Sequence, residues 1–521
     1  MPADSATNPE STPLAPWTQS GRMPRIAIIG AGMSGIAAVV KLRRAGYNDL
    51  TVFEKTDRVG GTWRENQYPG LSCDIPSYLY QFSFEKNPDW SHRFSHGPEI
   101  QRYMESTARK HGVLRDVRFN TRVEELRYVA PVWELTTNGG ETEIFDIVIS
   151  ATGVLHHPAI PDIPGLSDFE GEAFHTARWN TQLDLQGKRV GIIGTGSTSA
   201  QIVGEIADQV GKLSLFQRTA QWIHPLPQKA YGTYWKTLLR KVPALNTAVY
   251  WGVAFSIEQS FVRATLGNKL LLRYVDWACR RNLRKNVPDP VLREKLTPNY
   301  AAACKRLIFC STFYPAISRD NAELVTDGIE RIESKGVRTR DGRLHELDVL
   351  VLATGFQADR FILPTRVIGE GGQELGSQWE GSPRAHRATS VPGFPNFWML
   401  EGPTGPIGNI SLIMVTEHQI DYVIACMEKM KRDGLVAMAP TEEAFRQYNT
   451  AMTEAVQRTV WVTGGCQSWY LDKDGIPNIY PWTPRQYRKE MRHPNFREFR
   501  LIRSHDLPRS AERSASTTTS A

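Results

Sequence analysis

A chain of 521 residues is too long for one simple hydrophobic core, and ordinary domain sizes imply three or four domains or one large composite. The hydrophobic content of 41% is ordinary for a globular protein, and the longest apolar stretch, residues 247–257, falls well short of the roughly 18 residues of a spanning helix, which excludes a membrane-spanning chain. The net charge of +7 is regional: residues 263–306 alone hold eleven basic and three acidic side chains.

Residues 1–23 are rich in Pro, Ser and Thr, lack the apolar run of a secretory signal, and read as a disordered lead; residues 504–521 read as a matching tail. The six cysteines (73, 279, 304, 310, 426 and 466) form no CxxC pair, so neither a metal site nor a disulfide framework is implied, and a cytoplasmic setting fits best.

RIAIIG at Arg25–Gly30 is a short apolar strand of the kind buried in a parallel sheet, and it runs into Gly30, Gly32 and Gly35. This is a dinucleotide turn in its proper context: the glycines permit the tight turn, the approach of a pyrophosphate and close helix–strand packing, and the helix N-terminus then faces the phosphates. The next strand, LTVFEK, ends at Glu54, where a carboxylate bonds ribose hydroxyls and repels a 2′-phosphate. The unit therefore holds FAD or NAD and not NADP. The following GGTWRENQYPGLSCD at Gly60–Asp74 is too rich in Gly, Pro and aromatic residues for an ordinary helix or strand. IFDIVISATG at 144–153 and LDVLVLATG at 347–355 are near-duplicates, each a buried strand closing in Ala-Thr-Gly.

Between the glycine-rich turns at Gly30–Gly35 and Gly194–Ser199 lies FEGEAFHTARWN, Phe169–Asn180. Spacers are usually small and polar. This one carries Phe169, Phe174, His175 and Trp179, side chains that pack in fixed geometry, and it reads as a mechanical joint over residues 166–184. The second turn offers Gly194, Gly196, Ser197 and Thr198, with Ser199 in the third glycine's place. One strand later KLSLFQRT ends in Arg218 and Thr219, where the first unit has Glu54. A guanidinium beside a hydroxyl suits a 2′-phosphate, so this unit reads as NADPH-binding.

From Tyr231 to Tyr300 the chain turns helical, an insertion over residues 236–300 that helps roof a substrate pocket. Leu266, Leu270, Tyr274 and Trp277 recur at helical spacing among the basic residues, giving one apolar and one basic face. The preferred meaning is a solvated face near two polyanionic cofactors. Contact with an anionic membrane surface and nucleic-acid binding are the weaker alternatives. The second nucleotide unit is expected over 185–235 and 301–345, and the first over 24–165 and 346–503.

Two motifs carry a family resemblance. Phe169, Gly171, His175 and Trp179 fit Phe-x-Gly-x-x-x-His-x-x-x-Trp, with Asn180 where Pro or Asp is usual. Gly60, Gly61, Trp63, Tyr68, Pro69, Gly70 and Asp74 fit a second signature. The chain in this respect resembles the class B flavoprotein monooxygenases, specifically the type I Baeyer-Villiger monooxygenases. The resemblance, which spans about residues 24–500, implies an α/β fold of two Rossmann-like dinucleotide-binding domains, for FAD and NADP, with a helical insertion. It implies that Gly61, Thr62 and Trp63 wrap the flavin, that Asp74 orients the catalytic Arg306, that Lys305 meets the NADPH 2′-phosphate, and that Trp469 belongs to a segment reaching the nicotinamide. It implies a reaction in which NADPH reduces FAD, oxygen adds to give a C4a-peroxyflavin, and a ketone becomes an ester or lactone. The YPGLSCDIPSYLYQFSFE wording looks closer to relatives acting on linear or aryl ketones. An N- or S-oxidising flavin monooxygenase is the alternative; such enzymes generally end the fingerprint in Tyr or Phe, not Trp179, and lack an acid at position 74. A disulfide reductase needs a local cysteine pair near the flavin, and a non-catalytic scaffold would need neither Arg218, Lys305 nor Arg306. No metal and no nucleic acid are expected.

Overall fold

The computed structural model describes residues 16–405, 410–467, 470, 472 and 478–507. Two five-stranded, wholly parallel sheets form its frame. In the first, Ile26–Ile29 lies between Leu50–Phe53 and Ile147–Ser150, with Val117–Arg118 and Phe397–Met399 at the edges. In the second, Arg189–Ile193 lies between Lys212–Phe216 and Val349–Leu352, with Ala322–Val325 and Glu172–His175 outside them. The central strands of both are buried along their length, as expected of parallel strands covered on both faces. The chain is thus α/β, with two Rossmann-like units and a helical insertion of helices between Thr233 and Lys295.

Each unit starts with a strand, a glycine turn and a helix: Met33–Arg44 in the first, Ser197–Ile206 in the second. The long helix Leu412–Asp433 packs along Met33–Arg44, so the C-terminal third of the chain completes the first unit. A four-stranded sheet built on Val123–Val129 and Val132–Thr137 is pinned to it by fully buried Trp133, whose indole N–H donates to the Pro395 carbonyl at 2.8 Å.

Three expectations need correction. The lead is ordered earlier than residue 23: Trp17–Ser20 forms a helical turn, Trp17 is buried edge-on to Tyr47, and Arg22 makes a two-pronged ion pair with Asp146. One large aromatic anchors a segment whose composition otherwise favours disorder. The second unit does not end at 345, because Val349–Leu352 pairs with Arg189–Ile193. Nor is residues 166–184 purely a joint, since Glu172–His175 is an edge strand of the second sheet.

A tight constraint lies at the first glycine turn. A Cβ on Gly35 would sit 2.0 Å from the Gly30 carbonyl oxygen, closer than any side chain tolerates. Gly35→Ala is therefore expected to destabilise the fold by about 2 kcal/mol or more, read as a lowered melting temperature. An unchanged melting temperature would show that strand and helix can part without loss.

Candidate active site

The first cradle is built around the Met33–Arg44 helix, whose N-terminus at Gly32 has no side-chain cap, leaving its amides for an anion. Gly60 donates its N–H to the Ala31 carbonyl, and the Gly61 and Gly32 backbones meet closely, with 3.0 Å between an added Gly61 Cβ and the Gly32 Cα. Only bare backbone fits there. Glu54 is buried at the end of its strand; one carboxylate oxygen accepts the Ala31 N–H at 2.8 Å, the other the Thr56 N–H and hydroxyl at 2.9 and 2.7 Å. Three of the carboxylate's roughly four lone-pair sites are thus used, which leaves one on the second oxygen for a ribose hydroxyl. Thr62 and Trp63 lie on the turn Thr62–Glu65, where the Trp63 indole N–H donates to the Tyr80 hydroxyl at 2.9 Å. An open cleft of about 570 Å³ extends from Lys55, Thr56 and Arg64 to Arg178 and Trp179 of the fingerprint.

The second cradle repeats this plan. Gly194 takes a positive φ of 112°, Gly196 precedes the uncapped N-terminus of Ser197–Ile206, and Thr198 reaches the Tyr68 hydroxyl at 3.5 Å. Tyr68 in turn donates to Gln201, whose amide bonds the Ser72 carbonyl at 3.0 Å. The Tyr68–Asp74 segment therefore bridges the two units. Thr219 accepts the Thr195 hydroxyl through its carbonyl, which seats the strand end against the glycine turn. Arg218 is exposed, and Lys305 lies near enough that burial first, then the Arg218 charge, push its ammonium below its ordinary value. Two like charges brought together without an intervening acid make a place for a multiply charged anion.

The fingerprint locks this arrangement. His175 donates from Nε2 to the Gly355 carbonyl at 3.0 Å and accepts the Ala177 N–H on Nδ1, so the ring is neutral, and burial holds it below the usual imidazole value. The Ala-Thr-Gly turn at Gly355 is itself bonded to the exit from the other one, through the Ala159 N–H and the Thr354 hydroxyl. Phe169 is buried on the second sheet, Gly171 abuts the Asp348 carbonyl, and Trp179 meets Phe174 edge-on at 5.1 Å.

Between the cradles Arg306 donates to Asp74 at 2.6 Å, across 232 residues of sequence. The Tyr470 hydroxyl hydrogen-bonds the same guanidinium. The Asp74 charge, more than any other contact, raises the Arg306 pKa, against the opposing effect of burial, and the side chain as a whole remains 35% exposed. Cys304, two residues before Arg306, is disulfide-bonded to Cys466. This corrects the cysteine expectation: the partners stand 162 residues apart, and local spacing cannot register a pair made by the fold. Trp469 lies outside the described residues.

The sequence profile of the flavin-binding monooxygenase-like family matches residues 23–367. A Baeyer-Villiger monooxygenase of Streptomyces coelicolor is 39% identical over 483 residues, covering 92% of this chain and 93% of its own. An uncharacterized monooxygenase of Mycobacterium tuberculosis is 44% identical over 497 residues, covering 94% and 100%. The chain belongs to the class B flavoprotein monooxygenases of the Baeyer-Villiger type. Cyclohexanone monooxygenase in its closed crystal form superposes with a TM-score of 0.84 at 29% identity, over 92% of this chain and 99% of that one. A structure of OTEMO with FAD and NADP gives 0.83 at 28%, over 92% and 100%.

Three groups in this Baeyer-Villiger chain escaped the sequence reading. Tyr470 and the cysteine pair carry no local signature. Glu401 follows the edge strand Phe397–Met399 in a Gly- and Pro-rich stretch, yet it is buried, accepts the Thr416 hydroxyl at 2.9 Å and bonds Ser34 beside the first glycine turn. Burial pushes its carboxyl up to about 7.

Two expectations follow. Arg218→Ala raises KM for NADPH by about 10- to 100-fold, the loss of one charge-assisted contact, and leaves NADH unaffected; equal losses with both would remove the 2′-phosphate role. Because the folded-state pKa of Glu401 lies above its unfolded value, the protonated form favours folding. That contribution is complete below the unfolded carboxylate range and is lost as pH rises through about 7. Glu401→Gln should therefore flatten the fall in melting temperature between acid and neutral pH, and an unchanged slope would assign it to other groups.

Proposed function

We propose that this protein is an NADPH- and O2-dependent monooxygenase that inserts one oxygen atom beside a ketone carbonyl, giving an ester or lactone, with linear or aryl ketones as substrates. The observation that carries the proposal is the Arg306–Asp74 pair, set between two uncapped helix N-termini that each end a dinucleotide turn. The residues present fit both cofactors: the close approach of Gly32 and Gly61 and the Glu54 carboxylate suit FAD, and Arg218 with Lys305 suits the extra phosphate of NADPH. When bound, FAD reduced by NADPH supplies the electrons and the oxygen-transfer chemistry.

The protein's part is electrostatic. Every stage of such an oxygenation places negative charge in the site, and a guanidinium remains protonated at any working pH. Asp74 and Tyr470 fix the direction of that guanidinium, so little reorganisation is needed when charge develops. The Tyr68–Asp74 segment ties the ion pair to the second helix, so one movement of the nicotinamide unit repositions the cation. A cytoplasmic setting, where NADPH is renewed, suits this reading.

The test supplies purified protein with NADPH, ¹⁸O-labelled oxygen and either 2-decanone or 4-phenyl-2-butanone, and follows ester by mass spectrometry. One labelled oxygen per ester is expected. Arg306→Ala should lower ester formation by about 10²–10³-fold, the range for removing one preorganised charge donor, and Asp74→Asn less, with flavin content retained in both. Oxidation of thioethers or amines with no ester from any ketone would replace the proposal with the N- or S-oxidising alternative.

A further inference from the structure

The helical insertion shows a feature that neither cradle uses. Helix Lys269–Asn286 buries Val275, Ala278, Cys279, Asn282 and Leu283. Its opposite face carries Leu270, Tyr274 and Trp277, which were expected on an apolar face separate from a basic one, and here the structure differs. These side chains are 77%, 62% and 52% exposed. At 100° per residue they share one stripe with Arg273, Arg281, Arg284 and Lys285, all exposed. The helical period was legible, but the buried face is the one with the smaller residues.

Two further observations define what this stripe meets. Residues 233–288 hold ten basic and two acidic side chains, and both acids are already paired, Asp276 with Arg280 and Glu258 with Arg488. Among the described residues, none of Arg273, Arg281, Arg284 and Lys285 of the stripe takes part in an ion pair. The neighbouring helix Pro243–Ile257 contains no charged residue, yet it exposes Trp251 at 46% and Phe255 at 64%. The two helices are joined directly through Glu258–Val262 and Arg263–Thr265.

We propose that this insertion docks the protein on the surface of an anionic lipid bilayer. Arginine and lysine meet the headgroup phosphates, while Trp, Tyr, Leu and Phe enter the interfacial layer, where amphipathic aromatic rings are favoured. The Tyr274 and Trp277 rings lie tilted at 30° with centroids 5.7 Å apart, and Arg281 lies over the Trp277 ring at 5.4 Å, so cation and aromatic are presented together. A nucleic acid would satisfy the cations and could stack on the rings, but it offers nothing to Leu270 or to the uncharged face of Pro243–Ile257. Among the described residues no helix is long and apolar enough to cross a membrane, so the contact is peripheral. This docking stands independently of the reaction proposed above.

The experiment is flotation of the full-length protein with vesicles of phosphatidylcholine, alone or mixed equally with phosphatidylglycerol. The wild type should float with the anionic vesicles only, with a blue shift in tryptophan emission. The bound fraction should fall about tenfold or more in Leu270→Ser/Tyr274→Ser/Trp277→Ser, and by a similar factor in Arg273→Glu/Arg281→Glu. Melting temperatures near wild type confirm that both variants are folded, and either one suffices if the other is not. Absence of flotation overturns the proposal, as does flotation that survives the triple serine change. Binding of single-stranded DNA in place of vesicles would assign the stripe to nucleic acid and overturn it equally.

Discussion

The ion pair of Arg306 with Asp74 ties together parts of the chain that each unit alone could not hold. Asp74 ends the Gly60–Asp74 segment, which wraps the first glycine turn, and Arg306 follows the helical insertion within the second unit. For the pair to form, Tyr68 must reach Gln201, and Gly70 must lie where an added Cβ would be 2.7 Å from the Gln201 carbonyl oxygen. The segment thus lies against the Ser197–Ile206 helix in the same structure in which its aspartate meets the arginine. An exposed ion pair contributes little to stability, and this one is part-exposed. Its value lies in direction: one carboxylate and one hydroxyl hold a guanidinium that would otherwise sample many rotamers.

How much of this was legible depends on the range of the interactions. Glycine turns, strand ends and the contrast of Glu54 with Arg218 are local, because backbone geometry and the charge at a strand's end are set within a few residues. The fold and both cradles could be read for that reason. The meeting of Lys305 with Arg218 could be anticipated only through family resemblance, since no spacing rule joins residues so far apart. Glu401 was hidden for a different reason: its loop is glycine- and proline-rich, and burial, a tertiary property, converts an ordinary surface residue into a carboxyl that titrates near neutrality. The boundary at residue 346 failed because the two Ala-Thr-Gly strands look alike, whereas each belongs to a different sheet.

The helical insertion shows a limit of amphipathic periodicity. A period of 3.6 identifies two faces but does not say which is buried, and large apolar residues normally decide it. In Lys269–Asn286 Leu271, Leu272 and Leu283 pack inward, but Leu270, Tyr274 and Trp277 lie on the outer face, among cations. An exposed apolar patch of this kind marks an interaction site, and the cations set among these rings are what direct the docking proposed above to an anionic surface.

The Cys304–Cys466 bond bears on the same ion pair from the opposite side. It joins the residues just before Arg306 to those just before Tyr470, so the guanidinium and the hydroxyl that fixes it from this side are stapled together. The bond is not their sole connection: the Ala301 N–H donates to the Gly464 carbonyl at 2.9 Å, and Cys304 packs among Trp222, Trp461 and Tyr470. A reducing environment would remove the covalent constraint and leave these contacts in place. The chain between the two cysteines would gain freedom chiefly in the unfolded state, so reduction bears first on stability and only secondarily on the geometry around Arg306.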